Sequence, residues 1–239
     1  MQIVIILAAA ILPALLLWLY IWFRDPQPEP LRLLLKSIVL GIIICLPVSL
    51  VEGFMSGMLG PLVDGSTPLG STLEAFLVAA VPEETFKLLA LWLVLRRNPY
   101  FDEHFDGIVY AVSVGLGFAA TENVLYLFSF IEDWQSVALS RALLAVPGHY
   151  AFAVLMGYYY SVYHFTDHFA GTAICILLVP VLAHGIYDAL ALSGQVSPVL
   201  SGLAFLVLIY FCVRMHKFAH RKVLAQLERD RSGEFEIRG

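Results

Sequence analysis

The chain has 239 residues, of which 60% are hydrophobic and 14% charged, with a formal net charge of −5. Mean hydropathy is +0.82, and because a soluble domain carries about 25% charged residues the composition excludes one and indicates an integral membrane protein. No basic cluster resembles a nucleic-acid surface, and Cys45, Cys175 and Cys212 fall singly in apolar runs, away from disulfide or zinc-knuckle spacing.

A bilayer core of about 30 Å is crossed by about 20 apolar helical residues. Seven segments qualify, at roughly 3–23, 33–52, 71–95, 106–130, 138–162, 169–193 and 197–217. The first has no basic start and no small-residue cleavage site, so it is expected to be a retained helix and not a signal peptide. A proline-rich link, Asp25-Pro26-Gln27-Pro28-Glu29-Pro30, follows it. Gly60-Pro61, Asp64-Gly65 and Pro68 mark a longer second loop, and the stretch from Gly53 to Ser71 is expected to form a lid. Arg97-Asn98-Pro99 ends the third segment, because proline disfavours helix in the residue before it.

The expected fold is all-α: a polytopic bundle of about seven transmembrane helices. Arg24, Arg32 and Lys36 in the first loop, Arg96 and Arg97 in the third, and Arg214, Lys217, Arg221 and Lys222 at the end alternate with loops poor in bases. Positive residues stay inside, which sets the N-terminus outside and the C-terminus in the cytoplasm. Asp167 and neighbouring histidines occupy the fifth loop. Residues 1–220 are expected to form one membrane domain with a core at about 70–193, and residues 221–239 a charged tail that frays towards Gly239.

Five ionisable residues interrupt the apolar segments: Glu83, Glu84, Glu122, His149 and His184. Each costs roughly 2.5–3.5 kcal/mol in a bilayer, so a chain keeps them where they face a protein interior and act there. Counted from the outer helix ends at 1.5 Å per residue, Glu83, Glu122, His149 and His184 share a layer roughly 12–17 Å deep.

In Val81-Pro82-Glu83-Glu84-Thr85-Phe86-Lys87 the two glutamates point about 100° apart, so they are expected to differ in role. Glu83 and Lys87 are spaced for an ion pair. Ala111, Gly115 and Ala119 form a small-residue stripe that admits a neighbouring helix near Glu122. Pro147-Gly148 precede His149 and suggest a local break, and His184 and Asp188 are one turn apart, spaced for a carboxylate to orient the imidazole. His149, His184 and Glu122 are candidate zinc ligands, with Glu83 as base. A glutamate activating water without metal is the other option. His104, His164, His168, His216 and His220 are assigned solvated or interfacial positions.

At these residues the chain resembles the PrsW family of intramembrane proteases, which belongs with the CAAX prenyl endopeptidases, the Abi proteins and the APH-1 subunit of γ-secretase. The matching motifs are Glu83-Glu84-Thr85-Phe86-Lys87, Phe118 through Glu122, and His184 through Asp188, in that order. The resemblance covers roughly residues 70–193. It implies a multi-pass protein of a bacterial or archaeal plasma membrane that cuts a membrane-anchored protein near the extracytoplasmic face, such as a single-pass anti-sigma factor. The implied site is Glu83 as base, with Glu84, Glu122, His149 and His184 around the water, Asp188 supporting His184 and Lys87 balancing charge. The resemblance leaves zinc open. A proton- or cation-coupled transporter needs polar residues at several depths, and a non-catalytic scaffold leaves the full acid and histidine set without a task.

Overall fold

The computed structural model describes residues 1–166, 168–193 and 198–233, so Asp167 and the last six residues of the expected fraying tail lie outside the described residues. The described chain is helical, with no strand among those residues. The helices are α1 (Gln2–Trp22), α2 (Leu31–Leu59), α3 (Pro68–Leu73), α4 (Val81–Leu95), α5 (His104–Ser129), α6 (Trp134–Ser140), α7 (Val146–Ser161), α8 (Ala170–Leu192) and α9 (Pro198–Ser232). Wide turns join α3 to α4 (Glu74–Ala80), join α6 to α7 (Arg141–Ala145) and follow α7 (Val162–Thr166).

Six described helical runs are long and apolar enough to cross a membrane, which makes this a multi-pass membrane protein. The run from α3 through α4 is as long, but it carries Glu74, Glu83, Glu84 and Lys87. Leu12, Leu46, Leu50 and Leu206 project outwards from the bundle, as side chains that face lipid do.

Helix α5 is the axis, buried along most of its length and packed against α1, α2 and α7. Small residues allow this closeness. A Cβ placed on Gly117 would lie 2.3 Å from the Ile38 carbonyl oxygen of α2, and one on Gly115 would lie 2.8 Å from the Ala153 Cβ of α7. The stripe that contains Gly115 therefore faces α7. Two buried polar contacts hold α1 to α5: Trp18 Nε1 donates to Ser113 Oγ at 3.0 Å, and Asn123 Nδ2 donates to the Ala10 carbonyl at 3.0 Å.

Two segments differ from expectation. Helix α2 continues to Leu59 and a 3-10 turn carries it on to Val63, while α3 begins at Pro68, so the expected lid is helical except around residues 64–67. Gly53 and Gly57 cost about 1 kcal/mol each in a helix interior but do not end this one. Helix α9 runs unbroken through Arg221 to Ser232 and docks on α5. Its Asp230 accepts hydrogen bonds from the N–H groups of His104 (2.8 Å) and Phe105 (2.9 Å), satisfying free donors at the start of α5. This contact buries His104, correcting its assignment to solvent or interface, and Asp230 Oδ1 lies 3.1 Å from its Nδ1. Cys45 and Cys212 are buried and all three cysteines are free.

Candidate active site

Four helices, α4, α5, α7 and α8, contribute to the site, and two of them follow a wide turn and carry a proline in their first turn. Before Pro82, the N–H of Val81 bonds to the carbonyl of Phe76, five residues back; before Pro147, the N–H of Val146 bonds to that of Arg141. Proline lacks an N–H and its ring collides with the carbonyl four residues earlier, and a widened turn absorbs both defects without ending the helix. Glu83 and Glu84 leave the first turn of α4, and His149 leaves the first turn of α7. Both helices thus deliver their polar groups immediately after the irregularity.

Lys87 stands at the centre. Its Nζ donates to Glu83 Oε2 and Glu84 Oε1, both at 2.8 Å, and lies 3.2 Å from His149 Nδ1. It also sits 4.3 Å from the centre of the Phe118 ring. An ammonium only donates, so His149 Nδ1 accepts and the ring proton resides on Nε2. That Nε2 donates to Glu122 Oε2 at 2.9 Å. His184 has the same layout: Nδ1 is 2.9 Å from Glu84 Oε1, and Nε2 is 3.1 Å from Asp188 Oδ2. Each imidazole therefore turns Nδ1 towards the glutamate pair and Nε2 towards an outer carboxylate. The two ring centres are 5.3 Å apart, and Phe152 stacks on His184 at 4.7 Å.

All seven residues named from the sequence lie in this one network, but not equivalently. Glu83, Glu122, His149, His184 and Asp188 line a cavity of about 760 Å³, whereas Glu84 and Lys87 are buried behind its wall. Glu83, Glu84, His149 and His184 each bring a ligand atom within 4.8 Å of the others. Glu122 is outside that set, on the far nitrogen of His149.

Sequence reasoning missed Arg141 as a site residue. Its guanidinium makes a short ion pair with Glu122, donates to Asn123 Oδ1 at 2.5 Å and lies 4.0 Å from the Tyr126 ring centre. It was legible only as a charge at the head of an apolar segment. Glu52, at the end of the expected 33–52 segment, also lines the cavity, because α2 continues past it to Leu59.

The donor set fits a metal ion on its own chemistry. It combines two carboxylates with two imidazoles, all buried. Glu84 Oε2 is buried without a partner, and the Lys87 ammonium contacts three of the four donors, where a positive charge is wanted.

Comparison with known proteins identifies the chain's family. Residues 29–215 match the family described as PrsW family intramembrane metalloprotease. The chain is 36% identical over 206 residues to "Protease PrsW" of Oceanobacillus iheyensis, covering 86% of this chain and 91% of that protein. It is 35% identical to the Bacillus subtilis protein of that name (84% and 90%) and 32% identical to that of Geobacillus kaustophilus (90% and 92%). No solved structure matches the chain. Seven of the matched region's residues converge on one buried acid, imidazole and ammonium network, and the chain belongs to the PrsW family of intramembrane proteases.

Proposed function

We propose that this protease hydrolyses a peptide bond of a membrane-anchored protein near the extracytoplasmic face of a bacterial plasma membrane, with Glu83 as the base. The observation that carries the assignment is the division between the glutamates: Glu83 lines the cavity, and Glu84 is fully buried between Lys87 and His184. A base needs access to water within hydrogen-bond reach, and Glu83 is the member of the pair that lines the cavity.

In this reading Glu83 takes a proton from a water in the cavity and returns it to the leaving amine. Lys87 holds the Glu83 carboxylate at 2.8 Å and fixes its direction. Glu122 fixes the His149 ring, Arg141 fixes Glu122, and Asp188 fixes the His184 ring, each by contact with the atom named above.

We propose His149, His184 and Glu84 as the residues that hold zinc. The sequence suggested Glu122 as third ligand; its position on His149 Nε2 favours an orienting task, of the kind carboxylates perform for metal-bound histidines. When bound, zinc supplies Lewis acidity towards the peptide carbonyl. The substrate class is a single-pass membrane protein, such as an anti-sigma factor, and the membrane domain comprises residues 1–220 with the core at about 70–193.

The depth of the cut tests the reading. Purified protein is reconstituted with a single-pass substrate, and the new ends are read by mass spectrometry. Cleavage is expected in the outer half of the substrate's transmembrane segment or at its outer boundary. Cleavage confined to the cytoplasmic boundary contradicts the proposal.

A further inference from the structure

A second buried polar cluster lies at the opposite end of the bundle. It joins the α1–α2 link, the α4–α5 loop and the first turn of α5. Asp106 and Glu122 are sixteen residues apart on α5, about 24 Å along its axis, so the cluster is remote from the candidate active site. Asp25, Glu103 and Asp106 are 6%, 8% and 0% exposed.

Each of the three has one oxygen engaged and one unengaged. Asp25 Oδ1 accepts from the Gln27 N–H at 3.0 Å, Glu103 Oε1 takes a short hydrogen bond from Gln27 Nε2, and Asp106 Oδ2 accepts from the N–H groups of Asp102 (3.1 Å) and Glu103 (2.7 Å). Asp25 Oδ2, Glu103 Oε2 and Asp106 Oδ1 are buried and have no partner. The three residues also each present an oxygen within 4.8 Å of the others. Glu29 and Asp102 form a second such group around Asp106, and Asp102 is exposed, giving the cluster a route to solvent.

Leaving one buried acceptor unsatisfied costs about 1–3 kcal/mol, more when it is charged. Here three unsatisfied carboxylate oxygens share one small volume. Among the described residues no lysine or arginine forms an ion pair with any of the five carboxylates. The charges that act most on Asp25, Glu29 and Glu103 are those of other carboxylates, and burial pushes Asp25 up to about 6 and Glu29 up to about 7.

We propose that Asp25, Glu103 and Asp106, with Glu29 and Asp102 beside them, bind a hard divalent cation that clasps the ends of α1, α2, α4 and α5. The donors are all oxygen, with no imidazole or thiolate in either group. That set suits Ca²⁺ or Mg²⁺ and not zinc, with Ca²⁺ accepting more protein oxygens and Mg²⁺ keeping more of its water. The bound ion joins the proline-rich link to the start of the central helix, and through the adjacent His104–Asp230 contact it lies beside the end of α9. The role is structural and independent of the proposed proteolysis.

Binding to the full-length protein in detergent, stripped of metals, tests this with CaCl₂ and MgCl₂ in separate titrations. Wild type is expected to take up about one cation per chain and to unfold at a higher temperature once it is bound. Whichever salt acts at the lower concentration identifies the ion. Asp25→Asn/Asp106→Asn is expected to bind at least about tenfold more weakly and to lose the thermal response. Glu103→Gln, which keeps an acceptor for Gln27, gives the same loss if the double variant does not fold. Absence of uptake with either salt, or uptake and a thermal response unchanged in these variants, overturns the proposal, and the cluster is then held by shared protons.

Discussion

Replacing both His149 and His184 by alanine is expected to remove about one zinc per chain and to lower cleavage by on the order of 10³ or more. A metal's Lewis acidity is worth several kcal/mol in the transition state, and each 1.36 kcal/mol is about tenfold in rate. Both Nδ1 atoms face the glutamate pair while both Nε2 atoms are held from outside, by Glu122 at 2.9 Å and Asp188 at 3.1 Å. Loss of the two rings thus removes the nitrogen donors together. Elemental analysis of wild type and variant checks the metal, with helix content and size-exclusion behaviour as controls for folding. Wild-type protein that holds no zinc after loading, yet cleaves, would assign the water activation to Glu83 unaided.

Lys87→Met carries the largest expected cost in stability. The ammonium is buried and bridges Glu83 and Glu84 at 2.8 Å each. Methionine keeps much of the chain's length but leaves two buried carboxylates without their cation. Breaking a buried ion pair in this way costs about 3–5 kcal/mol. In metal-stripped protein the thermal unfolding midpoint is expected to fall well below that of an Arg97→Met control, because Arg97 is exposed. Adding Glu83→Gln and Glu84→Gln to Lys87→Met is expected to recover much of the loss, since the uncompensated charge is then gone. An unchanged midpoint in Lys87→Met contradicts the picture of Lys87 as the counter-charge.

The parts of this site readable in the sequence are those governed by short helical spacing. Glu83 and Lys87 are four residues apart, as are His184 and Asp188, and both pairs meet on one face. The depth count placed four helices' polar groups in a common layer, and their side chains meet across α4, α5, α7 and α8. Arg141 was beyond that logic, because its partner Glu122 lies nineteen residues earlier, across the α5–α6 turn. The prolines at 82 and 147 signalled irregularity, but not that a bond to the fifth residue back keeps each helix running. The distinct positions of Glu83 and Glu84 follow from the 100° between them only once the cavity's location is known. The acid cluster of Asp25, Glu103 and Asp106 was invisible for a similar reason. Its members come from the α1–α2 link, the α4–α5 loop and the first turn of α5, where carboxylates ordinarily meet solvent, and only the packing of the helix ends buries them together.

The most direct test of the central claim is cleavage of a single-pass membrane substrate by purified, reconstituted protein, comparing wild type with Glu83→Gln. Glutamine preserves size and one acceptor oxygen but cannot take a proton from water. General-base catalysis contributes about 10²–10⁴ in rate, and a loss of that size in a variant that folds like wild type is the predicted result. Cleavage by Glu83→Gln at the wild-type rate would contradict the account.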